Sequence, residues 1–388
     1  MEQIPTESRT ALESLLRVVG GTRTRLTTDK DARTLRSRQD HFLRFIYDMH
    51  LDTNVSLKGF TQVVRNVIMA CYVAHLASGQ TLLCRSIKMC TIRKYLKATS
   101  DLSIPFQMMN PTVDIQAKES NFIKNILHET HRWESMHKHR EPITKDMVSF
   151  IRTKGSSLSL QDNIYTVLSD WLTLGLQTGF RRIEWAQDKT YIQLHHHVQH
   201  NVNGSPSAFV ASNFAFHGPD GLRLPNDSIP KIDDISTVMI TWRHQKNMDN
   251  GQCITYAKDP QNPTFYAVVA ALRIITWTKR LKVASSNPID VYVSHHRSIV
   301  QCNYVDDTHI SFLLREAAKA LYKITAKADL NRFTAHSIRV GVCVLLHANG
   351  INSETIQFRL RWHSDVFKFY LRNVDALAEQ HRNVLRET

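Results

Sequence analysis

One tyrosine near the C-terminal end stands among residues that suit attack on a phosphate. The stretch RWHSDVFKFYLRN places Tyr370 eight residues after Trp362, with His363 beside the tryptophan. A phenol has a pKa of about 10 and is a weak nucleophile at neutral pH, but nearby cations favour the phenolate and a neutral histidine accepts its proton. The stretch therefore predicts a nucleophilic tyrosine. The cations that flank it in sequence are Arg359, Arg361, Lys368 and Arg372.

Two further stretches supply the groups that such a tyrosine requires. In TGFRRIEW, a turn at Gly179 precedes Arg181 and Glu184, which are three residues apart and share a face if a helix resumes. In TAHSIRVGVCVLLHANGI, predicted to be helical, His336 and Arg339 share a face. Two guanidiniums bind the non-bridging oxygens of a phosphate with forked donors, which lysines do not match in geometry.

A predicted β-hairpin carries two lysines. The stretch TVMITWRHQKNMDNGQCITYAK alternates as a strand up to Lys246, turns around Asn250 and Gly251, and returns as a second strand. Lys246 is therefore expected near the tip of a two-stranded finger. Lys258 on the return strand is the substitute candidate.

The order of these groups along the chain carries more information than any one of them. An arginine after a glycine turn, a hairpin lysine, H-x-x-R on a helix, a Trp-His pair and a final tyrosine follow one another. This order resembles the tyrosine recombinase (phage-integrase-like) family. RWHSDVFKFYLRN, with TWRHQKNMDNGQ and GFRRIEWAQD, looks most like the recombinases of Crypton- and DIRS-type eukaryotic mobile elements.

The resemblance implies a site-specific DNA recombinase or integrase that cuts and rejoins strands through a 3′-phosphotyrosyl intermediate. It implies neither a nucleotide cofactor nor a divalent metal. Two arginines would hold the phosphate, the lysine would protonate the departing 5′ oxygen, and either Trp362 or His363 would fill the family's His/Trp position. The catalytic set that it implies is Arg181, Lys246, His336, Arg339, Trp362, His363 and Tyr370.

The elements that must position this set predict an α+β, mostly helical chain. With 388 residues and 42% hydrophobic content, the chain is long enough for two domains with real cores. We expect an N-terminal arm and helical core-binding domain over residues 1–139, and over 140–388 a mixed α/β catalytic domain with a C-terminal tail helix. Residues 201–232, rich in Asn, Gly, Pro and Ser, indicate a long loop. The resemblance implies that the domains form a C-shaped clamp around DNA.

The charge of the chain favours a polyanionic partner. Lys and Arg number 49 against 35 acids, a net charge of +14, and double-stranded DNA is the partner that this excess and the resemblance indicate. No apolar run is long enough for a membrane span, and the N-terminus lacks a secretory signal, so we expect an intracellular protein. The resemblance further implies a nuclear location and assembly on DNA as a dimer to tetramer. The predicted DNA contacts are Arg36, Arg38, Arg44, Arg93, Lys94, Lys97 and Arg243.

The cysteines and histidines of the chain bear on other possible functions. Six cysteines without C-x-x-C pairing indicate reduced thiols, and the pair His195 and His197 offers two ligands where a zinc site takes three or four, so we predict no metal site. The alternatives that stay open are a type IB topoisomerase-like enzyme, a domesticated non-catalytic DNA-binding protein, and a metal-dependent nuclease built on the histidine cluster.

Overall fold

The structure is a computed structural model with two compact units, Met1–His137 and Lys138–Thr388. The boundary between the units lies two residues before the one predicted from sequence. The structure describes residues 29–51, 57, 59–78, 87–103, 110–113, 118–132, 139–157, 164–187, 206–225, 228–243, 245, 250–261, 265–296, 299–362 and 365–371.

The described part of the first unit is helical. Apolar residues recur at three- and four-residue intervals along its first helix, so Phe42, Phe45 and Ile46 share one face and are buried. Tyr72, from the second helix, meets the Phe42 ring edge-on at 5.1 Å. The helices are α1 (Asp29–Asp48), α2 (Gln62–Ser78), α3 (Met89–Ser103) and α4 (Asn121–Arg132).

The second unit is built around one helix that is buried on nearly all sides. This helix, Ile164–Thr178, is buried along almost its whole length, polar Ser169, Asp170 and Thr173 included, and three other helices pack on it: Lys145–Ser157, Ala267–Arg280 and Ser337–Ala348. In chain order the helices are α5 (Lys145–Ser157), α6 (Ile164–Thr178), α7 (Arg182–Trp185), α8 (Ala267–Arg280), α9 (Asp307–Tyr322), α10 (Lys327–Leu330), α11 (Ser337–Ala348) and α12 (Ser353–Arg359).

Two small antiparallel sheets complete this unit. The first has the order β1-β2-β3, from Phe214–His217, Thr237–Trp242 and Gln252–Ala257. The second pairs β4 (Val291–His296) with β5 (Ile299–Tyr304).

The first sheet corrects two predictions. Strand β1 lies inside residues 201–232, which we predicted to be a loop, because buried Phe214 and Phe216 pack into the core between polar flanks. The hairpin turns at Gly251 as predicted, with φ 85°, but strand β2 ends at Trp242 rather than at Lys246. Its last residue pairs with Gln252, and the Gly251 N–H donates to the Trp242 carbonyl at 2.8 Å, which closes the ladder there.

The prediction of an α+β, mostly helical chain is confirmed. The clamp around DNA remains a prediction. In the part of the chain that the structure describes, no helix is both long enough and apolar enough to cross a membrane.

Candidate active site

Tyr370 and His336 are in direct contact. Tyr370 ends a short 3₁₀ helix, Asp365–Tyr370, and His336 immediately precedes α11. The His336 Nε2 lies 2.9 Å from the Tyr370 hydroxyl, and the two rings are 5.7 Å apart. Tyr370 is half-buried rather than enclosed in the core, and residues 34 positions apart in sequence thus meet at one hydrogen bond.

The surroundings of His336 and Tyr370 set their protonation states. Desolvation by the surrounding protein, with repulsion from Arg339 and Arg140, lowers the pKa of His336 to about 4, although part of the residue is open to solvent. Burial raises the pKa of Tyr370, and Arg339 and Arg140 oppose this only in part. At neutral pH both groups are therefore neutral, and in the imidazole tautomer that carries its proton on Nδ1 the phenol donates to Nε2, which is the arrangement of a nucleophile with its base.

The expectation that the cations flanking Tyr370 in sequence activate it is wrong for the described ones. Lys368 is paired with Asp365 at 3.0 Å, and the Arg359 guanidinium lies 5.6 Å from the Tyr256 ring centre. Arg361 is buried, and Arg372 is outside the described residues. Among the described residues, the cations that act on the tyrosine's pKa are Arg339 and Arg140, and Arg140 has no role in the prediction from sequence.

Arg339 is buried and held by two backbone carbonyls. Its Nη1 donates to the Gly179 carbonyl at 2.9 Å and its Nη2 to the Leu360 carbonyl at 2.5 Å. The guanidinium also lies 5.0 Å from the ring centre of Trp362, whose ring is 5.9 Å from that of Tyr370. Burial and repulsion from Arg181 lower the pKa of Arg339 to about 9, which keeps it charged at neutral pH.

The turn that carries Gly179 requires glycine. Its φ is +59°, in the left-handed region, and a Cβ on this residue would lie 2.2 Å from the Leu360 Cδ2. The glycine lets the end of α6 approach residue 360 closely. Both carbonyls that hold Arg339 come from this contact.

Arg181 contacts Arg361, the residue that follows Leu360. Its Nη2 donates to the Arg361 carbonyl at 3.0 Å, and its Nη1 pairs with Glu184 Oε1 at 3.0 Å, as their spacing predicts. Arg339 and Arg181 therefore bind the carbonyls of consecutive residues, Leu360 and Arg361. The two guanidiniums are brought to one place although they are 158 residues apart in sequence.

Glu184 connects Arg181 to two groups whose roles sequence reasoning missed. The carboxylate is buried, and its Oε2 accepts from the Arg181 backbone N–H at 2.8 Å, from Trp242 Nε1 at 3.1 Å and from Arg361 Nη2 at 3.0 Å. The Arg361 guanidinium also lies 4.1 Å from the Trp242 ring centre. From the sequence we expected Arg361 to be one of the cations that act on Tyr370, but it is only 4% exposed and pairs with Glu184.

Two of the predicted catalytic residues, Lys246 and His363, lie outside the described residues. The substitute Lys258 is engaged elsewhere, since its Nζ donates to the Ile232 carbonyl at 2.9 Å and lies 3.7 Å from Asp233. The structure thus brings five predicted residues into one network and leaves the hairpin lysine a prediction. The five are Arg181, His336, Arg339, Trp362 and Tyr370.

The predicted DNA contacts have different surroundings. Arg93 is paired with Glu119 at 3.2 Å, the Arg38 guanidinium lies 5.8 Å from the Tyr95 ring centre, and Arg243 donates to the Pro206 carbonyl at 2.8 Å. Helices α1 and α3 pack against each other and carry the exposed remainder: Arg36, Arg44, Lys94 and Lys97.

Among the described residues no group of three or more His, Cys, Asp or Glu side chains could hold a metal ion. The pair His195 and His197 lies outside them.

Comparison with known proteins gives structural neighbours only. No family model and no curated protein matches the chain. A Tn1549 transposon integrase in complex with transposon right-end DNA is similar at a TM-score of 0.46 and 13% identity, covering 95% of this chain and 98% of that chain. The same integrase with circular-intermediate DNA gives 0.45 and 14%, covering 94% and 97%. At these values the likeness does not establish a common family.

Proposed function

We propose that the second unit is a tyrosine-type DNA recombinase or integrase, which cuts and rejoins DNA by transesterification at Tyr370. The observation that carries the proposal is the 2.9 Å contact between His336 Nε2 and the Tyr370 hydroxyl beside the buried guanidinium of Arg339. A tyrosine with a structural role needs one partner for its hydroxyl. It does not need a neutral imidazole with a depressed pKa and two converging arginines.

In the proposed reaction the Tyr370 oxygen attacks a DNA phosphorus while its proton passes to His336 Nε2. The bond from phosphorus to the 5′ oxygen breaks, which leaves a 3′-phosphotyrosyl ester and a 5′ hydroxyl once that oxygen is protonated. Lys246 is the proposed donor of this proton. Attack by the 5′ hydroxyl of a second strand reverses the step and rejoins the DNA. Since one ester replaces another, the exchange consumes no nucleotide.

Arg181 and Arg339 would stabilise the charge that develops on the non-bridging oxygens. Each guanidinium has five N–H donors, and Arg339 uses two of them on the Gly179 and Leu360 carbonyls. Buried donors fixed before the substrate arrives stabilise a transition state more than mobile ones, because they need not reorganise during the reaction. Trp362, packed between Arg339 and Tyr370, is our choice for the family's His/Trp position.

A covalent-trapping experiment tests the proposal. The protein is incubated with nicked duplexes of random sequence around the nick, from which the 5′-hydroxyl fragment diffuses away after cleavage. We expect a DNA adduct that survives denaturation, and no adduct with Tyr370→Phe, which lacks only the attacking oxygen. DNA binding without an adduct would favour a non-catalytic DNA-binding protein. If the protein forms the adduct, relaxes a supercoiled plasmid and never exchanges strands, the type IB topoisomerase-like enzyme is favoured.

Assembly and location belong to the proposal as well. We propose double-stranded DNA as the partner, a dimer to tetramer on paired sites, and a nuclear location, all from the resemblance to eukaryotic mobile-element recombinases. The exposed cations of α1 and α3 support DNA binding by the first unit, because a phosphate backbone is bound chiefly by Lys and Arg.

A further inference from the structure

We infer that Arg361 is a positioning residue that keeps the Arg181 guanidinium available to the DNA phosphate, by sharing the Glu184 carboxylate and by presenting its own carbonyl to Arg181. The inference rests on the proposed function and adds to it a role for Arg361 that the family resemblance does not imply.

The backbone of Arg361 is the first observation. Its φ of 55° lies in the left-handed region, which a side chain such as arginine rarely adopts. The Arg361 carbonyl accepts from Arg181 Nη2, while the preceding carbonyl, of Leu360, accepts from Arg339 Nη2. The following residue, Trp362, packs against Tyr370. The left-handed conformation of Arg361 therefore occurs between the carbonyl that binds Arg339 and the tryptophan that packs against Tyr370.

The Arg361 side chain is the second observation. It is buried, its Nη2 bonds Glu184, and it lies over Trp242. Within the described part of the chain, its Nε and Nη1 are buried and make no hydrogen bond. A buried ion pair with incomplete hydrogen bonding stabilises a fold less than well-packed apolar residues of the same volume. Stability alone therefore gives little reason for a charge at this position.

The charges supply the reason. One carboxylate lies between two guanidiniums, so the group of Arg181, Glu184 and Arg361 has a net charge of +1. Without Arg361, the carboxylate would pair with Arg181 alone, and that group would be neutral. An arginine held by a full carboxylate partner binds a phosphate less well, because the two anions compete for the same donors.

The test uses the nicked duplexes of the trapping experiment, fixed to the sequences that wild type captures. Arg361→Gly suits the left-handed backbone and removes only the side chain. We expect this variant to bind the DNA as wild type does and to form the adduct roughly 10- to 100-fold more slowly, since its effect on the phosphate passes through Arg181. The double variant Arg361→Gly/Glu184→Gln should recover part of the rate, because the carboxylate that would capture Arg181 is then neutral.

Lys323→Gly is the matched control, because Lys323 is an exposed cation of the same unit with φ 56° and should keep the wild-type rate. If Arg361→Gly does not fold, Arg361→Met fills the space beside Trp242 without charge and takes its place. A wild-type rate in the single variant, or a double variant slower than the single one, would overturn the inference while the function stands. Absence of an adduct with wild type would instead defeat the proposed function.

Discussion

The Tyr370 hydroxyl and the His336 Nε2 are 2.9 Å apart, and the pKa of Tyr370 is raised rather than lowered. The site is therefore set up for proton transfer during attack and does not hold a phenolate in advance. Tyrosine attack should need the histidine as a base.

The pH dependence follows from the pKa of His336. Because the folded-state pKa is depressed from 6.5 to about 4, the imidazole stays neutral as pH falls through 6.5 and is lost as a base only as pH approaches 4. We expect adduct formation below pH 6.5 to keep the rate that it has at neutral pH. The stability that comes from the neutral imidazole should be lost as pH falls from 6.5 towards 4. NMR titration of the labelled imidazole, beside adduct rates, checks this. A midpoint of both near 6.5 would contradict it.

Replacement of Arg339 tests the fixed guanidinium. Arg339→Lys keeps the charge but cannot bond the Gly179 and Leu360 carbonyls with a planar fork. We expect DNA affinity to change little and the adduct rate to fall by about 10²- to 10³-fold, or roughly 3 to 4 kcal/mol in the barrier. Single-turnover rates with saturating DNA measure this. Arg273→Lys, at an ion pair with Asp170 in the same unit, is the control and should leave the rate unchanged.

The glycine turn before Arg181 can be tested through stability and activity together. Gly179→Ala places a Cβ against Leu360 in a left-handed backbone, so we expect a loss of about 2 to 4 kcal/mol in the free energy of unfolding, from backbone strain and overpacking. Gly221→Ala has φ +77° but open space around its Cβ, so it should lose only the backbone part, about 1 to 2 kcal/mol.

Chemical denaturation of both glycine variants gives these values. Adduct formation should fall in Gly179→Ala alone, because Leu360 supplies the carbonyl that holds Arg339. Equal losses of stability in the two variants would show that the contact between Gly179 and Leu360 is unimportant.

The hairpin lysine can be tested with the leaving group. Lys246→Met should slow cleavage of an ordinary phosphodiester, whose departing 5′ oxygen needs a proton. A substrate with sulfur in place of that bridging oxygen should restore the rate, because a thiol has a pKa of about 8.5 and leaves without protonation. Lys258→Met, which removes a side chain already bonded to Ile232, should not show this restoration. The opposite pattern would assign the role to Lys258.

Sequence spacing predicted the contacts that depend on local geometry. Arg181 and Glu184, which are three residues apart and were predicted to share a face, form an ion pair. The order of motifs also anticipated that His336 and Tyr370 would meet, but only through a resemblance, since no local rule joins residues 34 positions apart.

What the sequence could not show depends on burial and backbone conformation. Nothing in RWHSDVF predicts that Arg361 is buried, and only the fold places it beside Trp242 and Glu184. Strand β1 was missed because two buried phenylalanines stand among loop-forming residues, and tertiary packing overrides that composition. Arg140 was not predicted to act on Tyr370, because a segment's charge pattern does not say which side chains it will face.

Residues 360–362 hold Arg339, hold Arg181 and pack against Tyr370, which has a consequence for any shortened form of the protein. A chain that ends before Leu360 would lose its nucleophile and would also deprive Arg339 and Arg181 of one acceptor each, the carbonyls of Leu360 and Arg361. Supplying the missing segment as a separate peptide should then rebuild the phosphate grip together with the tyrosine. We expect neither the two arginines nor the segment that carries Tyr370 to be active without the other.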